Sequence, residues 1–243
     1  MKAIHTQVRR ALVSWVAIVV AAVLPAVASA GTPGTSKPTV LLVHGAFAES
    51  LLSVVMEGKT PVDAVLALEW GPNLSTGRNR LCADFLARPG SPEWLFMCDT
   101  DMVLEPDTID RLIAAADPVE VPVLGGLCWS LDAGRKVPTM YELVEKEPGR
   151  LAFTRLSRWP ENAVMRVSAT GAACLLIHRS VLETVKKTAG DVAAPWFRET
   201  PVGAPLSLMG EDMTFCLRCA AAGIPVHVHT GVKAGHMKTT MLI

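Results

Sequence analysis

The sequence has no excess of charge of either sign. Its 243 residues include 23 Lys and Arg and 23 Asp and Glu, so the formal net charge is zero. Basic side chains do not cluster beyond the pairs Arg9-Arg10 and Lys186-Lys187. Because nucleic-acid binding needs a basic surface, a nucleic-acid partner is not expected. With half of its residues apolar, a chain of this length is expected to bury one core and form one globular domain.

The chain also lacks a second pair of closely spaced cysteines. Cys216 and Cys219 have CxxC spacing, but a structural zinc needs further ligands of this kind, and we expect no zinc site. The remaining cysteines are Cys82, Cys98, Cys128 and Cys174. Most of the six lie inside apolar or helical runs, where a thiol acts as a small core side chain. We therefore expect most of these thiols to be buried and reduced.

The first 30 residues have the pattern of an export signal. Basic residues in the first ten positions precede an uncharged apolar run that ends in Ala28-Ser29-Ala30, a small-x-small cleavage pattern. The run is close to the roughly 20 residues that cross a bilayer, so a membrane anchor over 11–30 is the alternative. The sequence thus predicts a signal peptide or anchor over 1–30. The composition of residues 31–38 predicts a flexible linker.

Beyond the linker, segments typical of strands alternate with segments typical of helices. Strands are predicted over 38–43, 62–70, 94–98 and 119–129 and helices over 50–58, 75–90, 105–117 and 210–223. Residues 166–187 predict a strand, a glycine turn, a strand and a helix, whereas 130–162 has no firm assignment. Because successive strand-helix units form parallel sheets, we expect an α/β fold with a mostly parallel central sheet flanked by helices.

Two aspartates separated by one threonine end the apolar run of 94–98. Ligands of open α/β sheets gather outside the carboxyl ends of the strands, which places Asp99 and Asp101 at the mouth of the sheet. Two carboxylates there repel each other unless a cation joins them. A hard divalent ion prefers such oxygen ligands and keeps positions open for phosphate, so the pair predicts a metal site. Loop turns or helix caps are the alternative.

A second acidic pair, Glu211-Asp212, opens the predicted helix over 210–223. A carboxylate here could accept a proton from a reacting hydroxyl. The N-terminus of a helix favours the ionised carboxylate, which predicts that Asp212 is a weak base that stays deprotonated. The alternative for both residues is a purely capping role.

Residues 62–238 resemble nucleotide-sugar glycosyltransferases of the GT-A fold, family 2 type, as found in bacteria and phages. The matching segments are GPNLSTGRNRLCADFL, WLFMCDTDMVLEPDTIDRL, VPVLGGLCW, TGAACLLIHRSVLE, GEDMTFCLRCAAAGIPVHVHT and a late GH. The resemblance implies a GT-A domain over 39–243. It also implies a metal-dependent, inverting transfer of sugar from a nucleotide diphosphate donor to an acceptor hydroxyl on a glycan, a lipid or a protein.

The resemblance assigns roles to the motif residues. Asp99 and Asp101 would hold Mn²⁺ or Mg²⁺ against the donor diphosphate. Arg78 and Asn79 would lie near the nucleotide, with a helix surface pair as the alternative.

The late motifs receive roles in the same way. Asp212 would be the general base, with Glu211 as second choice. His236 would complete the metal shell, with His229 next, although a single histidine is also commonly structural. Acceptor recognition would fall in the region from Tyr141 to Trp159.

The resemblance fails at the start of the chain. The segment KPTVLLVHGAFAES resembles the beginning of a secreted α/β-hydrolase, in which His44-Gly45 would belong to the oxyanion-hole loop. The G-x-S-x-G nucleophile motif of such hydrolases does not occur in the sequence. We expect residues 39–61 to stand in for the first strand-helix unit of the transferase, with 38–43 as its first strand.

The export pattern and the transferase resemblance predict different compartments. Nucleotide sugars are cytoplasmic, so an active enzyme is expected to be retained or anchored with access to the cytoplasm. A secreted hydrolase and a non-catalytic GT-A-like binding domain are the alternative functions.

Overall fold

The computed structural model describes residues 16–23, 45–70, 73–88, 92–202 and 208–238. Its helices are α1 (Gly45–Glu57), α2 (Leu74–Ala87), α3 (Thr108–Ala115), α4 (Arg179–Ala189) and α5 (Glu211–Ala221). Among these described segments, no helix is long and apolar enough to cross a lipid bilayer.

The strands are short, and most of those outside the central sheet form hairpins or two-residue bridges. They are β1 (Val16–Val23), β2 (Val62–Trp70), β3 (Trp94–Asp99), β4 (Met102–Val103), β5 (Val123–Leu127), β6 (Trp129–Asp132), β7 (Arg135–Pro138), β8 (Met140–Glu147), β9 (Arg150–Arg155), β10 (Val164–Val167), β11 (Ala169–Thr170), β12 (Cys174–His178), β13 (Thr200–Pro201), β14 (Leu208–Met209), β15 (Val226–Lys233) and β16 (Gly235–His236).

The central sheet has seven strands in the order β10-β15-β5-β12-β3-β1-β2. Five of them, β2, β1, β3, β5 and β15, run in one direction, but β12 lies antiparallel between β3 and β5. Parallel neighbours need a long crossover connection, usually a helix. The chain instead reaches β12 through the hairpins of 129–155, so three of the six neighbouring pairs in this sheet are antiparallel. The α/β class with a helix-flanked central sheet is confirmed, but its strand pairs are less parallel than expected.

The two faces of β3 bury different helices. Leu95 and Met97 pack with side chains of α2, α4 and α5, whereas Trp94, Phe96 and Cys98 pack with side chains of α1 and α3. Successive side chains of a strand point to opposite faces, which is why a continuous apolar run forms the middle layer of a three-layer fold. All six cysteines are buried and free, as expected.

The beginning of the sheet differs from the sequence expectation. The predicted first strand, 38–43, lies outside the described residues. The position beside β3 is taken by β1, which pairs in parallel with both β3 and β2. Because β1 lies inside the predicted signal segment, cleavage after Ala30 would remove a central strand. The assignment of 1–30 as a signal or anchor stays a prediction.

The unassigned middle region forms two hairpins, β6–β7 and β8–β9. Their turns use positive φ angles at Ala133 (48°), Gly134 (76°) and Gly149 (76°). Tight turns between antiparallel strands need this left-handed backbone. The Pro, Gly and charge content that obscured the periodicity therefore marks exposed hairpins.

Gly126 in β5 supplies a test of the packing between β5 and its neighbours. A Cβ at this position would lie 2.8 Å from Cys174 Sγ and 3.2 Å from the Val232 carbonyl oxygen. We predict that Gly126→Ala lowers the free energy of unfolding by about 1–3 kcal/mol in urea denaturation. Gly45→Ala is the control, since a Cβ there would meet nothing within 4 Å. Equal unfolding midpoints for the two variants would contradict this packing.

Candidate functional site

The site forms where the end of β3 meets the start of α5. Arg78 of α2 joins them: its Nη2 donates to Asp99 Oδ1 at 2.7 Å, and its Nη1 donates to Glu211 Oε1. The Arg78 side chain is only 3% exposed. The two acidic motifs, far apart in the sequence, therefore belong to one site, and Arg78 is not a helix surface residue.

Neighbouring carboxylates keep the buried guanidinium of Arg78 protonated. Burial lowers the pKa of its guanidinium, but the negative charges of Asp99, Glu211 and Asp212 offset this, so the pKa is raised and the group stays charged. The guanidinium carbon also lies 5.7 Å from the centre of the Phe197 ring. Three carboxylates thus interact electrostatically with one buried cation.

Asn79, the other half of the Arg-Asn pair, fixes the backbone of Trp196 and Phe197. Its Nδ2 donates to the carbonyl oxygens of Ser75 (2.7 Å) and Phe197 (2.6 Å). Its Oδ1 accepts from the backbone N–H groups of Trp196 (3.1 Å) and Phe197 (3.4 Å). An amide has two N–H donors and two oxygen lone pairs, so the bonding capacity of Asn79 is used within the protein. Any effect of Asn79 on a ligand would therefore act through the position of the Phe197 backbone.

Asp101 belongs to a different cluster from Asp99. Its Oδ2 contacts His236 Nε2 at 2.8 Å and Lys238 Nζ at 3.0 Å. Burial raises the pKa of Asp101, but the hydrogen bonds from His236 and Lys238 outweigh it and lower the pKa to about 2. Asp101 is therefore an ionised partner of cationic Lys238 and of His236, which is cationic when protonated.

His236 bridges Asp101 and the backbone of Trp129. Its Nδ1 lies 2.7 Å from the Trp129 carbonyl oxygen, while Nε2 faces Asp101. Both ring nitrogens face oxygen acceptors, an arrangement that suits the doubly protonated ring. The bond to Asp101 raises the pKa of His236, and the Trp129 carbonyl adds to this effect, which outweighs burial.

The three predicted metal ligands divide between these two clusters. Asp101 and His236 are in contact, whereas Oδ1 of Asp99 accepts a hydrogen bond from Arg78. In the described part of the chain, no group of three or more His, Cys, Asp and Glu side chains is arranged to hold a metal. The chemistry of Asp101 and His236 fits a divalent ion when that ion replaces the proton between Nε2 and the carboxylate, and the carbonyl bond at Nδ1 orients the ring as in metal-bound histidines. His229 lies in β15, where its Nδ1 accepts from the Gly231 N–H at 3.2 Å.

Glu211 and Asp212 occupy the first turn of α5, and neither is its N-cap residue. The N-cap is Gly210, which has no side chain to make a capping bond, but Asp212 Oδ1 accepts from the Met213 backbone N–H at 2.7 Å within this first turn. Burial raises the pKa of both carboxyl groups, Arg78 lowers it, and neighbouring carboxylates raise it, so the net shift is upward. The expectation of a weakly basic Asp212 is wrong, because burial raises its pKa by more than Arg78 and the Met213 N–H lower it. Asp212 is therefore a stronger base than an exposed aspartate.

The sequence did not identify two contributors to the site, Lys238 and the carbonyl group of Trp129. A backbone carbonyl has no sequence signature, and Lys238 stands outside the GH motif. Its position two residues after His236 was the available signal, since alternate residues of an extended segment share a face. Of the hydrolase-like pair, Gly45 begins α1 and His44 lies outside the described residues.

No protein-family model matches the chain, and no curated protein matches it. Similar solved structures include A197 from STIV, with a TM-score of 0.53 and 16% identity, over 93% of this chain and 86% of that one. At this identity the likeness concerns the fold alone.

Two further solved structures are similar at lower scores. GalNAc-T7 with UDP, GalNAc and Mn²⁺ has a TM-score of 0.46 and 13% identity, over 74% of this chain and 33% of that one. CMP:2-keto-3-deoxy-manno-octonic acid synthetase with CTP has a TM-score of 0.47 and 14% identity, over 94% of this chain and 92% of that one. These scores are too low to carry an argument about this chain.

Removal of Arg78 tests the shared site. We predict that Arg78→Ala lowers the free energy of unfolding by about 3–5 kcal/mol, because it leaves buried carboxylates without their cation. Arg150→Ala is the control: Arg150 is 73% exposed and pairs with Glu147 at 3.3 Å, a contact worth about 0–1 kcal/mol. Urea denaturation followed by circular dichroism measures both. Equal losses would contradict the buried bridge.

The His236 contacts predict a pH dependence. A group whose pKa is raised on folding stabilises the protein fully below its unfolded pKa, near 6.5, and loses this effect as pH rises through the folded pKa. NMR titration in the presence of a chelator should give His236 a pKa above 6.5, and Asp101→Asn should shift it downward. An unchanged titration curve in Asp101→Asn would contradict the contact.

Proposed function

We propose that the chain is a GT-A glycosyltransferase that moves sugar from a nucleotide diphosphate donor to an acceptor hydroxyl. One observation carries the proposal: buried Arg78 joins Asp99, from the Asp-x-Asp motif, to Glu211, from the Gly-Glu-Asp motif. These are the two motifs to which the family resemblance assigns donor binding and proton transfer. The three-layer α/β fold, with Asp99 at the carboxyl end of a central strand, supports the same function.

Asp212 is the proposed general base. The acceptor oxygen bonds to the anomeric carbon, and its proton passes to the Asp212 carboxylate. The bond from that carbon to the diphosphate oxygen breaks, and the electron pair leaves with the nucleoside diphosphate. Attack opposite the leaving group inverts the anomeric carbon. The raised pKa of Asp212 brings the base closer to the working pH, which favours proton transfer.

The Asp101 cluster is the proposed site for the departing diphosphate. Lys238 and, when protonated, His236 place positive charge beside Asp101, where it can offset developing negative charge. Mn²⁺ or Mg²⁺ held by Asp101 and by neutral His236, in place of the His236 proton, would supply Lewis-acid neutralisation of the same charge. The bond to Arg78 engages Oδ1 of Asp99, so Asp99 would join this set through Oδ2 or by giving up that bond. Arg78 therefore orients the first aspartate of the motif.

The proposed chemistry also bears on location and partners. Use of a nucleotide-sugar donor requires access to the cytoplasm. Membrane association through residues 11–30 is also proposed, and it is compatible with an acceptor on a lipid or on a protein. The structure places Val16–Val23 in the central sheet, so attachment through this segment would have to leave β1 paired.

Donor binding should raise thermal stability. We predict that at least one UDP-, GDP- or TDP-sugar, at about 100 times its Kd, raises Tm by about 5–10 °C, because a ligand that binds only the folded state stabilises it. The panel is measured by thermal shift with and without Mn²⁺. If none of these donors nor any nucleoside diphosphate shifts Tm under either condition, the proposal is wrong.

Loss of the base should remove turnover but keep donor binding. We predict that Asp212→Asn lowers kcat by about 10²–10⁴-fold. The activity of the natural chain should rise with pH through a pKa above 3.8, the usual value of aspartate. Asp107→Asn is a matched control, because Asp107 is exposed and makes no side-chain capping bond.

The same experiment separates an enzyme from a non-catalytic binding domain. Release of nucleoside diphosphate is compared for the natural chain, Asp99→Ala and Asp212→Asn. Donor binding without any release by the natural chain would indicate a binding domain and contradict the proposed activity.

A further inference from the structure

A cleft of about 500 Å³ lies beside the Asp101 cluster. This volume is within the range of 300–1,000 Å³ that is typical of small-molecule sites. Its lining includes Trp129, Trp159, Glu161, Asn162, Thr230 and Lys233. The cleft thus combines two aromatic walls with polar and charged groups, and none of these residues has a role in the proposed proton transfer.

Two indole rings form the aromatic part of the cleft. The rings of Trp129 and Trp159 lie 5.9 Å apart between centroids at an interplanar angle of 60°. Both side chains are half-buried. Lys136 Nζ lies 4.2 Å from the centroid of the Trp129 ring and lines the neighbouring cavity, so it helps to hold the indole in place.

The polar rim is fixed by the backbone around Asn162. Thr230 Oγ1 donates to the Pro160 carbonyl oxygen at 2.7 Å and accepts from the Ala163 N–H at 3.0 Å. Asn162 has a positive φ of 48°, and its Oδ1 accepts from Arg111 Nη2 at 3.1 Å. The 160–163 loop is therefore preorganised, which lowers the entropic cost of binding a ligand.

A glycine makes the close approach of this loop possible. A Cβ at Gly231 would lie 2.1 Å from Asn162 Oδ1 and 2.9 Å from Asn162 Cα. A larger residue would push the loop and its polar groups away from β15.

We propose that this cleft binds the saccharide unit of the acceptor. The face of an indole ring is negatively polarised and attracts the C–H bonds on one face of a pyranose, while the equatorial hydroxyl groups need donors and acceptors around them. The Glu161 carboxylate, the Asn162 amide and the Lys233 ammonium supply these groups at the rim. The acceptor role, as distinct from saccharide binding itself, rests on the proposed glycosyltransferase function.

The geometry favours a sugar over a nucleobase or a lipid chain. Rings inclined at 60° do not form the parallel slot that a flat base would fill. The exposed side chains of Glu161 and Lys233 would lose hydration against an apolar chain.

The position of the cleft fits an acceptor site. Trp129 lines both this cleft and the adjoining cavity that contains His236 and Lys238, and its carbonyl group bonds to His236. A sugar stacked on Trp129 would lie next to the proposed diphosphate site, as a transfer reaction requires.

Saccharide binding is tested directly by NMR, without nucleotide. Cellobiose, maltose, lactose and N,N′-diacetylchitobiose are titrated while the indole N–H signals of Trp129 and Trp159 are followed. At least one sugar should shift both signals. Trp159→Ala should weaken that binding at least tenfold, with partial recovery in Trp159→Phe, and Glu161→Gln should weaken it severalfold. Leu151→Ala, an exposed site outside the cleft, should leave it unchanged.

The outcomes separate the cleft from the proposed transferase. Failure of all four sugars to shift the two indole signals overturns the proposal, as does binding that survives Trp159→Ala. A nucleotide that shifts both signals while no sugar does would assign the cleft to the donor and also overturn it. If sugars bind but the natural chain does not hydrolyse any donor, the saccharide site stands and the acceptor role fails. In an active enzyme, Trp159→Ala should raise the acceptor KM, whereas Leu151→Ala should leave both the acceptor KM and donor hydrolysis unchanged.

Discussion

The site depends on a guanidinium group that water does not reach. Arg78 comes from α2 and holds Asp99 at the end of β3 and Glu211 at the start of α5. A buried charge is strongly unfavourable unless it is paired, so these three elements stabilise each other's position. The same contacts bring together the acidic groups that a transfer reaction would use. Fold and site are thus linked by one cation.

The distribution of charge gives the carboxylates different properties. Asp101 is held ionised by His236 and Lys238, and its pKa is lowered to about 2. Asp212 shares the field of Arg78 with two other carboxylates, and its pKa is raised by burial. Environments that separate the pKa values of acidic groups are characteristic of sites that divide charge stabilisation from proton transfer. The proposed mechanism uses this division.

Much of the fold follows from local patterns in the sequence. The run from Trp94 to Cys98 is apolar at every position, and β3 is buried on both faces; the apolar residues of α2 and α5 recur at helical spacing. The antiparallel direction of β12 does not follow, because it depends on how the hairpins of 129–155 return the chain to the sheet. The place of β1 does not follow either, because an apolar run before a small-x-small site has the same composition as an export signal.

The sequence predicts the chemical groups of the candidate site but not how they pair. The acidic motifs identify Asp99, Asp101 and Asp212 by type and spacing. That Asp99 contacts Arg78 while Asp101 contacts His236 depends on side-chain directions at the sheet edge, which no local pattern encodes. The raised pKa of Asp212 likewise comes from tertiary burial, whereas sequence position alone indicated the helix dipole.

The most direct test is a double-mutant cycle between Arg78 and Glu211. Arg78→Met, Glu211→Gln and the double variant are compared with the natural chain by urea denaturation. If the buried bridge organises the site, the changes in unfolding free energy will be non-additive by about 1.5 kcal/mol or more. Changes that add to within about 0.5 kcal/mol would show that the two groups do not interact, and would contradict the central claim.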